Sequence, residues 1–266
     1  MRRILFLVSF LGLLGASCSS SGVLLFSLQD DVKLGRQVRD ELLNDSKVDV
    51  LDRESYPEAY AYLDQMVNEI LNSGNVKYRN EFEWEVRIIR DDVLNAFCAP
   101  GGYIFVYTGL IDYLDKPDDL AGVLGHEIAH ADLRHTSRNL QQAYGVEFLL
   151  NLLIGENPGQ IEQIAAGLAG NVTNLAFSRS HERESDDKSV EYLSGTRYKC
   201  DGASSFFAKM INDGQTPGIP EFLSTHPNPD NRVESISKKA LEKGCDTKYT
   251  DENGYDYEQF KMDLRL

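Results

Sequence analysis

Long apolar runs are missing from this 266-residue sequence. The longest, Ile4 to Gly15, falls short of the roughly 20 residues a helix needs to cross a bilayer. A multi-span membrane protein is excluded. Positive charge is also scarce: 27 Lys and Arg stand against 42 Asp and Glu, for a formal net charge of −15. Such a surface repels phosphate backbones and anionic lipid headgroups, so no nucleic-acid partner is expected. There are four cysteines and no CxxC pair, which excludes a zinc ribbon or a thiol redox motif. No internal repeat is visible, so the chain is not a solenoid. Histidine is scarce too, with five in the chain. The positions of so few carry information.

What is present at the N-terminus is an export pattern. Arg2 and Arg3 precede the apolar run, small residues follow, and then comes Cys18. Residues 1–17 read as a signal peptide. Two cleavage readings compete. In one, Cys18 becomes a lipidated N-terminus and residues 18–26 a tether. In the other, cleavage falls after Ser17 in the small-x-small pattern Gly15-Ala16-Ser17, leaving a soluble exported protein. The first is adopted, although Gly15 stands where a lipoprotein signal prefers a larger aliphatic residue. The expected location is the periplasmic face of a membrane, the outer membrane in preference to the inner. Export permits disulfides, and Cys200 with Cys245 is the expected pair.

With 42% hydrophobic residues, the rest is long enough for one generous domain, placed over 27–245, followed by an acidic tail over 246–266 that either docks on the surface or stays mobile. Ser27 with Asp30 resembles a capping box opening a helix, and a second helical stripe runs through "YPEAYAYLDQMVNEILNSGN" to Ile70 and Leu71, with Gly74 as a stop. The period then changes. Phe82, Trp84, Val86 and Ile88 alternate with charged neighbours, as in a half-buried strand. A Pro-Gly-Gly turn at 100–102 leads into a second strand, "YIFVY". Helical period returns at Pro117, where proline and two aspartates suit a first turn. Residues 140–177 are apolar and small and read as core helices, with a membrane-touching hairpin as the alternative. Further helices are expected over 174–195 and 203–212, and "GIPEFLSTHPNPDNRVESISKKALEK" reads as a proline-rich loop running into a helix. The fold class is α+β, mainly α, with a small antiparallel or mixed sheet.

The chemistry concentrates in "GHEIAHADLRH", residues 125–135. His126 and His130 lie one turn apart on one helix face and can aim both imidazoles at one ion. Glu127 then faces the side where water would sit. This is the HExxH arrangement, with the glutamate as general base. With five histidines it arises by chance on the order of one time in a hundred. A catalytic zinc needs a third protein ligand. His135 is one residue short of the place where one peptidase class has its third histidine, and the glycine of that class is Leu133 here. His135 therefore reads as an exposed or capping histidine. The better donor is Glu182 in "SHERESDD", with Asp186 four residues on, placed to accept the outer N–H of a ligating histidine, His126 in particular. Glu184 points half a turn away, and His181 reads as structural.

"VLGHEIAHADLRH", "FSRSHERESD", "NAFCAPGGYIFVYTGLI" and "STHPNPDNR", in this order, resemble the zinc metallopeptidase family of HtpX and the CAAX prenyl endopeptidases, most of all its small exported bacterial lipoproteins. The resemblance covers roughly residues 27–240. It implies a zincin-like (gluzincin) helical domain whose edge strand flanks the active site, one Zn2+ on His126, His130 and Glu182, Glu127 as base and Asp186 behind the ligands. It also implies that Gly102, Tyr103, Ile104 and Phe105 form an edge pairing with an extended substrate, with Asn95 beside it. His226 and Arg232 match a segment near the active site. Either is a candidate donor to the oxyanion, and His226 could instead ligate zinc in a closed resting state. Ser185 departs from the family, where alanine is usual, and Cys98 stands where a small apolar residue is common.

The function these readings imply is a zinc endopeptidase of the bacterial envelope acting on unfolded or misassembled proteins. The alternative is an assembly factor or chaperone that holds clients on the same edge. A closed structural zinc site is a weaker third reading, because three protein ligands leave one position open.

Overall fold

A computed structural model describes residues 23–155, 159–171, 175–213, 223–227, 231–248 and 257–264. The expected signal peptide and Cys18 lie outside the described residues.

The chain opens with two helices, α1 (Leu28–Asn44) and α2 (Pro57–Leu71). Ser27 and Asp30 cap α1 reciprocally, side chain to backbone in both directions. Three short strands follow: β1 (Glu85–Ile89), β2 (Ala96–Ala99) and β3 (Tyr103–Tyr107). The remaining helices are α3 (Thr108–Tyr113), α4 (Pro117–Asp132), α5 (His135–Tyr144), α6 (Val146–Leu153), α7 (Gln160–Ala166), α8 (Arg179–Leu193), α9 (Gly202–Asp213), α10 (Arg232–Lys243) and α11 (Tyr257–Asp263). The protein is mainly helical with a small mixed sheet, as the sequence patterns imply. None of the described helices is long and apolar enough to cross a membrane.

The sheet order is β1–β3–β2. β3 runs parallel to β1, with Glu85 opposite Tyr103, and antiparallel to β2, with Cys98 opposite Ile104. The expectation that Gly102 to Phe105 form an edge is therefore corrected: β3 is the central strand. The physical reason is visible in "YIFVY", an unbroken apolar run whose five residues are all buried. Such a run suits a strand covered on both faces and both edges. The strand expected from Phe82 starts only at Glu85; before it, Phe82 and Glu83 make turn bonds to Tyr78 and Gly101.

Helices cover both faces of the sheet. Val86, Ile88, Ala96, Cys98, Ile104 and Val106 join the main core with α2, α4, α8, α9 and α10. Ile89, Phe97, Ala99, Tyr103, Phe105 and Tyr107 join a second core with α1, α6 and α7. The β2–β3 turn rests on α1. Gly101 there has φ 76°, and a Cβ would come within 2.6 Å of the Val32 backbone, so the turn demands glycine twice over.

Both the first and the last described residues are tied to this body. Residues 23–26, expected within a tether, bond to Gln141 through Val23 O and Leu25 N, and Phe26 is buried. At the other end α11 packs on α2, where Phe260 stacks on Tyr62 and the Tyr257 hydroxyl donates to Ile111 O at 2.8 Å. The last helix of the acidic segment is thus part of the core. Cys200 and Cys245 form a disulfide; Cys98 is a buried thiol.

Candidate metal centre

α4 is buried along its whole length, between the β2 side of the sheet and helices α8 and α9. Pro117 at its first turn and Asp118 and Asp119 beside it suit a helix start. At its far end Asp132 accepts the N–H groups of Lys77 and Tyr78 and the hydroxyl of Tyr192. A helix pinned at both ends holds His126, Glu127 and His130 in fixed places, all three at most 1% exposed. α8 lies alongside. Ser178 caps it by accepting from His181 N, and Glu182 and Asp186 project from the first turns toward α4. His226 comes from residues 223–227 and Arg232 from the first turn of α10.

These residues meet. His126 Nε2 and His130 Nε2 are 3.0 Å apart, and each lies 3.4 Å from an oxygen of Glu182. His226 Nδ1 is 3.4 Å from His126 Nε2 and 3.2 Å from Glu182 Oε1. One ligand atom from each of the four residues lies within 4.8 Å of every other. A tetrahedron with zinc–ligand distances of about 2.0–2.1 Å has edges of about 3.3–3.4 Å. The donor set and its spacing therefore fit zinc, with three imidazoles and one carboxylate.

The buried polar atoms point the same way. Neither oxygen of Glu127 has a hydrogen-bond partner, and Glu182 Oε2 has no aligned donor, although Arg232 Nη2 approaches it to 3.0 Å. Buried carboxylate oxygens left this way are costly unless a cation meets them. Burial pushes the Glu127 carboxyl above its usual range and His130 well below its own, so His130 is a neutral imidazole ready to ligate. Burial also acts to raise Glu182, but His226 and hydrogen bonds to His126 and His130 outweigh it and hold that carboxyl well below its ordinary value.

Behind the donors, Asp186 Oδ1 sits 2.9 Å from His126 Nδ1, the contact expected from the four-residue spacing. Arg232 reaches the donor cluster with one arm of its fork, Nη2 lying 3.0 Å from Glu182 Oε2 and 3.2 Å from His126 Nε2. Its Nε and Nη2 each donate to Asp186 at 2.7 Å, and its guanidinium lies 3.7 Å over the Phe207 ring. His226 Nε2 lies 3.5 Å from Glu127 Oε1.

One histidine is placed differently from the sequence reading. His135 is neither exposed nor a cap: it is 2% exposed, with Nδ1 3.2 Å from His130 Nδ1. His181 stacks on it, ring centroids 4.2 Å apart. All five histidines of the chain thus gather at one place. Arg134 explains why spacing misled. Its left-handed backbone, φ 60°, breaks the helix after Asp132 and turns the next residue back. Of the residues expected on a substrate edge, Tyr103, Ile104 and Phe105 are buried in the central strand, while Asn95 sits buried just before β2. β2 has one strand partner among the described residues, and Thr136 donates to Cys98 O from its other side.

Comparison with known proteins agrees with this geometry. The chain is 28% identical over 187 residues to the mitochondrial metalloendopeptidase OMA1 of Schizosaccharomyces pombe, covering 69% of this chain and 54% of that one. It is 31% identical over 186 residues to the OMA1 metalloendopeptidase of Saccharomyces cerevisiae, covering 67% and 51%. It is 27% identical over 194 residues to the putative beta-barrel assembly-enhancing protease of Vibrio cholerae, covering 69% and 40%. The chain spans about half the length of these relatives or less. The profile of peptidase family M48 matches residues 48–240, most of the chain and every residue of the centre described above, and the protein belongs to that family of metallopeptidases.

Proposed function

We propose that this protein is a zinc-dependent endopeptidase in which His126, His130 and Glu182 hold the metal and Glu127 is the general base. One observation carries the reading: a buried Glu127 carboxylate without hydrogen-bond partners stands beside a tetrahedrally spaced His-His-Glu set. Zinc bound there supplies Lewis acidity, which polarises a scissile carbonyl and makes water a nucleophile at neutral pH. Glu127, with its raised pKa, takes a proton from the attacking water and passes it to the leaving amine. Asp186 fixes the tautomer of His126, and Arg232 acts as a positioning residue by gripping Asp186. We read His226 as a fourth ligand of a closed resting site, in place of an oxyanion donor, because its Nδ1 already shares the ligand cluster.

With β3 paired on both sides, the strand proposed to take an extended substrate is β2, entered from Asn95. Backbone pairing reads little of the side chains, which suits broad action on unfolded segments. The name of the Vibrio relative speaks of β-barrel assembly, and the substrates proposed here are misassembled envelope proteins. The N-terminal pattern supports export and anchoring through lipidated Cys18. Fractionation of a Cys18→Ala variant checks this: it should leave the membrane fraction.

The deciding experiment compares wild type with Glu127→Gln on casein. Wild type should contain one zinc per chain and cleave. The variant should keep the zinc and lose about 10²–10⁴ in turnover. Equal cleavage by both would remove Glu127 from the mechanism. Zinc retention without cleavage in either would favour a client-holding assembly factor.

A further inference from the structure

The back of His126 has a carboxylate partner in Asp186. The back of His130 has none on its own helix, and what lies there is His135. His130 Nδ1 and His135 Nδ1 are 3.2 Å apart. On its far side, His135 Nε2 is 3.2 Å from Glu184 Oε2. Ser185 Oγ approaches His135 Nδ1, also at 3.2 Å. One proton arrangement satisfies this chain. An imidazole that ligates through Nε2 carries its proton on Nδ1. His130 then donates to His135 Nδ1, and His135 keeps its own proton on Nε2 and donates to Glu184. The Ser185 hydroxyl reaches the same lone pair from α8.

The fold goes to some expense to build this contact. Had α4 continued as a helix, residue 135 would lie about 140° around the axis from residue 130 and about 7.5 Å along it. Arg134 instead adopts a left-handed conformation that is unfavourable for any residue with a side chain. That turn is held by Arg134 donating to the buried Asp31 at 2.5 Å and to Phe26 O at 2.6 Å. The turned-back ring is clamped between the His130 contact and the face of His181, at an interplanar angle of 13°. A strained turn, a buried ion pair and a stacked ring all serve to set one imidazole behind a metal ligand.

We propose that His135 is a positioning residue for the metal centre: it accepts the Nδ1 proton of His130 and, with Glu184 and Ser185, sets the tautomer and ring plane of that ligand. This rests on the zinc reading above. The two ligating histidines are then backed differently. His126 leans on a buried carboxylate neutralised by Arg232, whereas His130 leans on a neutral imidazole that ends on Glu184, whose side chain is 63% exposed. Ser185, the departure from the family noted in the sequence, belongs to this second support.

The test measures zinc affinity of the full chain by competition with a chromophoric chelator, and records the visible spectrum of the cobalt-substituted protein. His135→Phe keeps the ring and removes the acceptor. It should weaken zinc binding by about 10–100-fold and shift the cobalt bands. His135→Asn places an amide oxygen near the Nδ1 position and should recover most of that loss. Glu184→Ala changes an exposed side chain, so it will fold, and should weaken binding a few-fold. Zinc affinity and cobalt bands unchanged in His135→Phe would overturn the proposal, as would equal losses in the Phe and Asn variants. Should His135→Phe fail to fold, near-wild-type affinity in His135→Asn with a few-fold loss in Glu184→Ala supports the proposal, and wild-type affinity with unaltered cobalt bands in Glu184→Ala overturns it. Wild-type protein that binds no zinc would bring down the metal reading itself, whereas variants matching a zinc-binding wild type would leave that reading standing.

Discussion

Arg232 grips Asp186 with two parallel hydrogen bonds of 2.7 Å, both side chains buried, and holds it against His126. The pair couples the start of α10 to the middle of α4 through α8. Removing one partner leaves the other charge buried alone, which costs about 3–5 kcal/mol. Asp186→Asn should therefore lower stability by that order in urea denaturation and weaken zinc binding about 10–100-fold in chelator competition. Arg232→Lys should not substitute for arginine, since one ammonium cannot make the parallel pair.

His226→Ala tests whether the fourth donor closes the site. If His226 ligates zinc at rest, its loss should raise casein turnover several-fold and speed zinc release to a chelator. A fall of about 10² in turnover with zinc retained would instead make it an oxyanion donor.

The approach of α4 to α9 depends on Gly122. A Cβ there would lie 2.1 Å from Ala203 N and 2.4 Å from Gly202 C, both backbone atoms that cannot step aside. Gly122→Ala should cost about 1–3 kcal/mol or more through overpacking, read as a lowered urea midpoint. Gly145→Ala, with nothing within 4 Å but φ 82° and ψ 157°, should cost about 1–3 kcal/mol through backbone strain alone.

Asp119 gives a pH dependence with a definite sign. Burial, against the pull of Lys199, pushes its carboxyl up to about 6 from an ordinary 3.8. The folded state binds that proton more tightly than the unfolded state. The stabilisation is thus full below about pH 4 and is lost as pH rises through about 6. Asp119→Asn removes the penalty of the buried charge. Relative to wild type it should be more stable at pH 8, by on the order of 2 kcal/mol, and indistinguishable near pH 4. Paired thermal melts across this range check it. An advantage that grows in acid would contradict the assignment.

Much of the centre was legible because it is local. Two histidines one turn apart share a face of any α-helix, whatever surrounds it, and the same holds for Glu182 with Asp186 on α8. Helix starts were legible for the same reason, since Ser27 with Asp30 and Pro117 act within a single turn. The failures all involve contacts between segments distant in sequence. β3 reads as an edge in the sequence because an apolar strand does not announce how many partners it has; its pairing with β1 on one side and β2 on the other makes it central. His135 was dismissed on helical spacing, which stops applying at the left-handed Arg134, and Arg134 is held there by Asp31 from a helix 103 residues earlier.

The sequence by itself therefore determined the candidate donor types and the two helices that carry them, because these rest on periodicity and on the chemistry of individual side chains, while its motifs carried the resemblance to the family. Only the tertiary structure decided which strand is central in the sheet, how Arg232 is used, that α11 belongs to the core, and that all five histidines meet. Those outcomes depend on which buried surfaces and unpaired polar groups find each other when the chain is packed, and no local pattern encodes that pairing.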